Sequence, residues 1–340
     1  MKKQGSLIPC GKLGVKELER LLKRYATKRD RSLLIGPAIG VDSAAVRVRK
    51  DVLLLKTDPI TFVAEDIGLY ALHINANDIA VMGGRPRWFL ATILLPEGRA
   101  TLKDAERVFR QISRAADEVG VTLCGGHTEV TPVVNTTVVV GQMIGEVERK
   151  GLVSSQGARH GDSLIVTKAI PLEALSILAR EKAEELEKIV SKTTIARWRN
   201  FVKRPGIGVL KDVELTMKVT KPHAMHDPTE GGLSMGLYEM ARASGVGLEV
   251  YRDRIPIVRG ADRVFSYFGV DPMGLIASGT LLMAVAQKDA ERVVSTLERA
   301  GIPAAIVGSV KSKKCGINII EGGKKKPLRI YERDEITKIL

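Results

Sequence analysis

The stretch DIGLYALHINANDIAVMGGRPRWFLATILL, residues 66–95, carries a helix, its stop signal and a strand in succession. Ile67, Ala71, Ile74, Ile79 and Met82 recur at helical spacing through Asp66–Met82. Gly83-Gly84 ends that run and Pro86 stands just beyond it, the usual punctuation of a helix C-terminus. Trp88–Leu95 then reads as a strand. A buried helix feeding directly into a strand is the unit of a mixed fold, and the flanks repeat it.

Upstream, Gly14–Tyr25 is a short amphipathic helix with Val15, Leu18, Leu21 and Leu22 on one stripe. Ala44–Val48 and Val52–Lys56 are strand-like about the charged turn Arg49-Lys50-Asp51. Downstream, Leu102–Val119 predicts a helix closed by Gly120, Val121–Cys124 a strand, and the nearly uncharged Val133–Val147 a buried strand. A boundary falls near Glu148–Gln156. Beyond it come a strand at Ser163–Thr167, a long charged helical region at Leu172–Arg199, and helices near Val209–Val219, Asp227–Ala243 and Lys288–Ala300. Strands are expected at Leu248–Val250, Leu281–Ala286 and Ala304–Val307. The fold class is α/β (α+β), in two domains, residues 1–150 and 151–310, with a basic C-terminal segment at 311–340.

Composition narrows the function. With 340 residues, 44% apolar and 27% charged, the chain has the make-up of a packed globular protein. The longest apolar runs, Leu90–Leu95 and Val138–Ile144, are far shorter than the ~20 residues of a membrane helix. No signal peptide is read at the N-terminus, and Cys10, Cys124 and Cys315 are scattered without a Cys-x-x-Cys pair, so a cytoplasmic setting is expected. Cys124 ends an apolar strand and reads as a small core residue. Lys and Arg outnumber Asp and Glu by 53 to 39, a net +14 that invites an anionic partner. Five Asn and five Gln beside abundant Lys, Arg and Glu also suit a thermophile, which explains much of that charge as surface chemistry. Aromatics are only 4% and no base-stacking motif occurs, which argues against nucleic acid. Neither a Walker loop nor a Rossmann glycine fingerprint is present.

Polar islands interrupt the apolar pattern. Asp42 sits in a glycine-rich turn, Asp58 ends a strand in Thr57-Asp58-Pro59, and Asn75 and Asp78 share one face of the 66–82 helix beside its buried stripe. Gly125-Gly126-His127-Thr128-Glu129 follows a strand. Taken singly, Asp42 and Asp58 are ordinary turn residues. A buried Asp78, however, needs a cation or several donors. Several carboxylates with one amide suit a hard divalent cation, Mg²⁺ or, with His127 beside Glu129, Mn²⁺. Asp227-Pro228-Thr229-Glu230 reads as a capped helix start, and the same geometry can hold a phosphate or its metal. His223 and His226 read as solvated loop residues or, alternatively, as groups that touch the ligand or metal.

In order, Gly40–Val46, Lys56–Ile60, Asn77–Pro86, Gly125–Val130, Asp227–Leu233 and Gly269–Met273 resemble the motifs of the AIR synthetase (PurM-like) superfamily. Within it the likeness is to hydrogenase-maturation HypE proteins and archaeal AIR synthase-related proteins, from about Gly11 to Val310. The resemblance implies a two-domain fold whose N-terminal sheets pair in a homodimer, and ATP-dependent, Mg²⁺-requiring chemistry. It carries Asp42, Asp58 and Asp78 over as metal–phosphate acids and Asp227 as the acid opening the C-terminal ligand helix; His127 stands where relatives place Asp, Glu or His. Asn75, Asp78, His127, Glu129 and Asp227 complete the expected metal set, with Asp78, Asp227 and His127 catalytic and Lys56, Thr57, Gly125, Gly126 and Thr229 around the nucleotide.

Two departures shape the functional expectation. HypE proteins end in a Pro-Arg-x-Cys-type tail, whereas this chain ends Glu335–Leu340 with Cys315 well inside. The glycine-rich phosphate cover is reduced to Pro9–Gly14. With acids present and no acceptor, water becomes the expected nucleophile, which makes the chain a metal-dependent phosphohydrolase or phosphoryl-transfer enzyme acting on a nucleotide or another phosphate-containing small molecule. The alternatives are a HypE-type carbamoyl dehydratase with a hydrogenase-maturation partner, or a non-catalytic nucleic-acid-binding relative.

Overall fold

The computed structural model describes residues 13–26 and 30–340; Cys10 and most of the Pro9–Gly14 segment lie outside the described residues. Among the described residues thirteen strands and ten α-helices follow one another. The strands are β1 (Leu33–Ile35), β2 (Ala44–Val48), β3 (Asp51–Ile60), β4 (Arg85–Pro96), β5 (Thr122–Thr131), β6 (Val138–Val147), β7 (Ser163–Thr167), β8 (Ala224–His226), β9 (Gly247–Tyr251), β10 (Leu282–Val285), β11 (Ala304–Lys311), β12 (Ile317–Glu321) and β13 (Lys324–Pro327). The helices are α1 (Val15–Tyr25), α2 (Ile67–Ala80), α3 (Leu102–Val119), α4 (Leu172–Glu181), α5 (Ala183–Leu186), α6 (Lys192–Arg199), α7 (Leu210–Val219), α8 (Gly232–Ser244), α9 (Asp262–Phe268) and α10 (Ala290–Arg299).

Strands β1 to β6 form one sheet in the order β1-β2-β3-β6-β4-β5, antiparallel except at β4–β5. Helices α2 and α3 pack on one face. Helix α2 is buried on nearly every side, because a second body of structure closes over it, and this is why its sequence is apolar almost throughout. Cross-strand register assigns the faces: Lys56 opposes Met143 and Asp58 opposes Gly141 on the helix side. Leu55–Ile144–Trp88 and Val138–Leu94 line the outer face, which none of the described elements covers fully, and Leu55 is 40% exposed.

The second sheet runs β13-β12-β9-β11-β7-β10-β8, with only β12–β9 parallel. Helices α7 and α10 pack together beside it, α10 against β7 and β11, while α8 contacts β8 and β9. Residues 311–340 are not a separate tail: β12 and β13 extend this sheet, Leu328 and Tyr331 join its core, and Ile336 and Ile339 pack in the first. Alternating apolar side chains at Ile317 and Ile319, hidden among the lysines, account for it. The expected single helical region 172–199 is broken into α4, α5 and α6.

The two halves are pinned directly to each other. Asn77 donates to the Ile207 carbonyl and accepts from the Val209 amide at 2.8 and 2.9 Å. Arg180 of α4 reaches Asp66 at 2.7 Å, and Ser155 donates to the Gly40 carbonyl. Gly40 has φ +74°, and a Cβ there would sit 2.9 Å from the Glu239 carbonyl, so only glycine lets this turn rest on α8.

Candidate active site

The cleft between the halves holds a cavity of about 350 Å³ lined by Asp42, Lys56, Thr57, Asp58, Asp78, Asp227 and Thr229. These come from four separate segments: the turn before β2, strand β3, the last turn of α2, and the loop after β8 that runs toward α8. Lys56 Nζ lies 3.1 Å from Asp78 Oδ2 and 3.2 Å from Asp58 Oδ2. Burial disfavours its ammonium, but Asp78, Asp58, Asp227 and Asp42 outweigh that and hold the pKa above the usual lysine value. Burial, reinforced by Asp58 and Asp42 and opposed by Lys56, pushes Asp78 up to about 7. Asp227 is raised by burial and by Asp78 and Asp42.

The expected capping box at Asp227 does not form. Helix α8 starts at Gly232, after Gly231 at φ +80°, so Asp227 sits in the loop and both its carboxylate oxygens are buried with no hydrogen-bond partner among the described residues. The Gly231 amide, the donor a phosphate would have used, donates to Asp334 Oδ2 at 2.7 Å. Asp42, His226 and Asp227 offer ligand atoms within 4.8 Å of one another, and Asp42 Oδ2 is likewise unpartnered. Orphaned carboxylate oxygens of this kind fit a hard divalent cation. His226 serves differently: Nδ1 lies 2.6 Å from Asp42 Oδ1 and Nε2 3.0 Å from Glu239 Oε2. Burial disfavours its charge, yet Asp42 and Glu239 raise its pKa well above the usual histidine value, so it is an imidazolium counter-charge.

Not every expected site residue comes to this cleft. Asn75 is spent on structure: Nδ2 donates to the Ala71 and Asp58 carbonyls at 2.8 and 3.3 Å, so it fixes the backbone that presents Asp58 and does not line the cavity. The island at Gly125–Glu129 is not a loop but the middle of β5, in parallel register with β4. His127 and Glu129 pair with each other at 3.1 Å on the exposed outer face, opposite Thr92 and Leu94, and Gly125 and Gly126 lie beside them. The glycines serve packing: Gly126 has φ +148°, and a Cβ there would fall 2.1 Å from the Ala91 carbonyl. Cys124, expected in the core, is exposed on the same strand. His226, weighed on the sequence as a loop residue or a ligand contact, lines the cavity; Glu239 and Asp334, which also line it, were missed.

Comparison with known proteins identifies the class. Residues 40–147 match the N-terminal domain, and residues 159–319 the C-terminal domain, of AIR synthase related proteins. A putative hydrogenase expression/formation protein of Methanocaldococcus jannaschii is 29% identical over 318 residues, covering 90% of this chain and 91% of that one. The carbamoyl dehydratase HypE of Azotobacter vinelandii is 30% identical over 263 residues, covering 74% and 72%. The crystal structure of the hydrogenase maturation protein HypE in complex with ATP superposes with a TM-score of 0.72 at 26% identity, over 95% of this chain and 94% of that one. The chain belongs to the AIR synthase-related (PurM-like) family, close to HypE.

These relatives overturn the phosphohydrolase reading. Acids of this kind serve a hydrolase and an ATP-using dehydratase alike, and nothing in them selects water as the nucleophile. Relatives that share most of the chain's length are carbamoyl dehydratases, the alternative set aside on the sequence. No helix among the described residues is long and apolar enough to cross a membrane.

Proposed function

We propose that the chain is an ATP-dependent dehydratase of the carbamoyl class, acting with hydrogenase-maturation partners in the cytoplasm. The observation that carries it is Asp227: two orphaned carboxylate oxygens, buried at a domain cleft and facing Asp42, Asp78 and Lys56, need a cation. Asp42, Asp58, Asp78 and Asp227 would hold one or more divalent ions, which neutralise triphosphate charge when bound. Because carboxylates engage both nitrogens of His226, the donor set is oxygen alone, which favours Mg²⁺ over Mn²⁺. Lys56, on the cavity side of β3, would orient the γ-phosphate, while the Thr57 hydroxyl is spent on the Gly141 carbonyl at 2.9 Å; Thr229 and Asp334 also line the cavity. Support for the amide as phosphoryl acceptor comes from the relatives named carbamoyl dehydratase and the ATP-bound fold of HypE.

The homodimer belongs to the same reading. The outer face of the first sheet presents Leu55, Trp88, Leu90, Leu94, Val140 and Ile144 without full cover, and the free edge of β5 leaves Leu123 and Val130 exposed. A second copy packing there would bury this surface and place His127 and Glu129 at the interface. The activity is tested by incubating the protein with Mg²⁺, ATP and S-ethyl thiocarbamate. Phosphate and S-ethyl thiocyanate should form together, and ATP should be nearly inert without the amide. Equal phosphate release with and without the amide would refute the dehydratase reading.

A further inference from the structure

Beside the acid cavity lies a smaller compartment of about 40 Å³ that shares Asp58, Thr229 and Glu230 with it. A single water needs roughly 10–15 Å³ on this measure, so the space suits about three non-hydrogen atoms, the size of one carboxamide. Its walls are apolar at Pro59, Ile60, Phe62, Val63, Ile74, Ile177 and Ile276. Besides Thr61 and the shared Asp58, Thr229 and Glu230, two buried polar side chains break that lining, Glu173 from α4 and Ser278 from the loop before β10. Glu173 is 2% exposed and accepts from the Ser278 amide at 3.2 Å. Ser278 is fully buried, and its hydroxyl, although beside that carboxyl, has no partner in hydrogen-bond geometry.

An acid in an apolar chamber is costly unless something is to be bound there. Tertiary packing alone would have been served by an aliphatic residue among the isoleucines. A primary amide matches the two polar groups: one N–H to the Glu173 carboxylate and a polar atom to the Ser278 hydroxyl, with its flat faces against the apolar walls. We propose that this compartment is the subsite for the neutral carboxamide end of the acceptor, and that Glu173 is the catalytic base that takes its N–H proton. The proposal rests on the dehydratase reading and adds to it a residue and a place.

The chemistry balances. The amide oxygen forms a bond to the γ-phosphorus as the bond to the β–γ bridging oxygen breaks and ADP leaves. Glu173 takes one N–H proton, and that electron pair makes the C=N bond. Loss of the second N–H proton then completes the C≡N bond as the C–O pair departs with phosphate. One amide and one ATP thus yield one nitrile-type product, ADP, phosphate and a proton. Burial, with smaller contributions from Asp334 and Glu230, pushes Glu173 up to about 7, against the hydrogen bond donated by the Ser278 amide. Tyr70, from α2, also feels its charge. A base with this pKa is half ionised at neutral pH, where proton abstraction is most effective.

The test uses the full chain with S-ethyl thiocarbamate as the probe, its binding followed by ligand-observed NMR and its turnover by product formation. Glu173→Gln keeps the shape and should keep ATP affinity within about twofold, while amide-dependent kcat falls ~100-fold or more and loses its rise with pH through about 7. Ser278→Ala leaves the backbone amide in place, so it should fold normally and weaken amide binding several-fold. If wild type does not bind the probe, or if both variants bind it as wild type does, the subsite is wrong. If Glu173→Gln loses binding while wild type binds the probe without dehydrating it, the subsite stands and the dehydratase reading falls. Unchanged kcat and pH profile in Glu173→Gln removes the base.

Discussion

Lys56 Nζ lies 3.1 Å from Asp78 Oδ2 with only 5% of the Asp78 side chain exposed, and the same ammonium serves Asp58 at 3.2 Å. One ammonium therefore compensates Asp58 and Asp78, as the His226 imidazolium compensates Asp42. Lys56→Met should leave those charges uncompensated and lower stability by ~3–5 kcal/mol in metal-free buffer at pH 7.5. Urea unfolding measures it, and a loss under about 1 kcal/mol would mean that the acids do not depend on Lys56.

Titration of Asp78 makes a second prediction, with a definite sign. Its folded pKa is about 7, and an unfolded aspartate titrates near 3.9. Between those values the folded state holds a proton that the unfolded state has released, so this group makes the apo protein less stable as pH rises from about 4 to 7. Asp78→Asn removes the titration, so the variant should gain on wild type across that window by up to a few kcal/mol. Thermal unfolding of metal-free protein at half-unit pH steps checks this, and parallel curves would contradict it. Mg²⁺ with ATP should raise the wild-type curve most at pH 7 and above, because ligation needs the carboxylate.

How much of this was readable beforehand differs between fold and site. Helix α2 and strand β4 were legible in residues 66–95, since the apolar spacing, the glycine pair and the proline all agree. Strand β5 was cut short at Cys124 because glycine pairs signal turns, whereas here Gly126 is required by close approach to the Ala91 carbonyl. Strands β12 and β13 were hidden by the lysines of an edge hairpin. In the cavity, Asp78 stood out because a carboxylate breaks an apolar helix, whereas Asp42, Asp58 and Asp227 read singly as turn or cap residues and were singled out by the family resemblance. Glu173 and Glu239 could not, since each sits in an amphipathic helix where glutamate is unremarkable, and only the tertiary fold turns them inward.

Gly126 and Gly125 offer a controlled comparison. Gly126→Ala would place a methyl 2.1 Å from the Ala91 carbonyl at φ +148°, and should cost ~2 kcal/mol or more while loosening β5 from β4. At Gly125 the nearest atom to a Cβ is a Leu90 methyl at 3.7 Å, an ordinary contact, so Gly125→Ala should stay within about 0.5 kcal/mol. Denaturant midpoints and hydrogen exchange along Thr122–Thr131 report the difference. Equal effects would show that β5 is not held by this close approach.

Pairing of the outer sheet faces predicts the behaviour of Leu55, 40% exposed in one copy and flanked by Ile144 and Trp88. Leu55→Glu should split the dimer, seen as a halved mass in size-exclusion chromatography with light scattering, while the far-UV spectrum is kept. A dimer that persists at low micromolar concentration would place the contact elsewhere.

His226 bridges Asp42 and Glu239 at 2.6 and 3.0 Å, and so ties β8 and α8 of the second half to the turn before β2 in the first. Its folded pKa is raised, so the stability it contributes is full below the unfolded value near 6.5 and is lost as pH climbs through the folded value. His226→Gln leaves both carboxylates without their buried counter-charge. At pH 6 the variant should be less stable than wild type by ~3–5 kcal/mol, and the gap should narrow steadily above the raised pKa as wild type also loses its imidazolium. Urea titrations at pH 6, 7.5 and 9 follow that convergence. A gap that stays constant across the series would mean the imidazole acts through packing alone, and the charged clasp between the two halves would have to be given up.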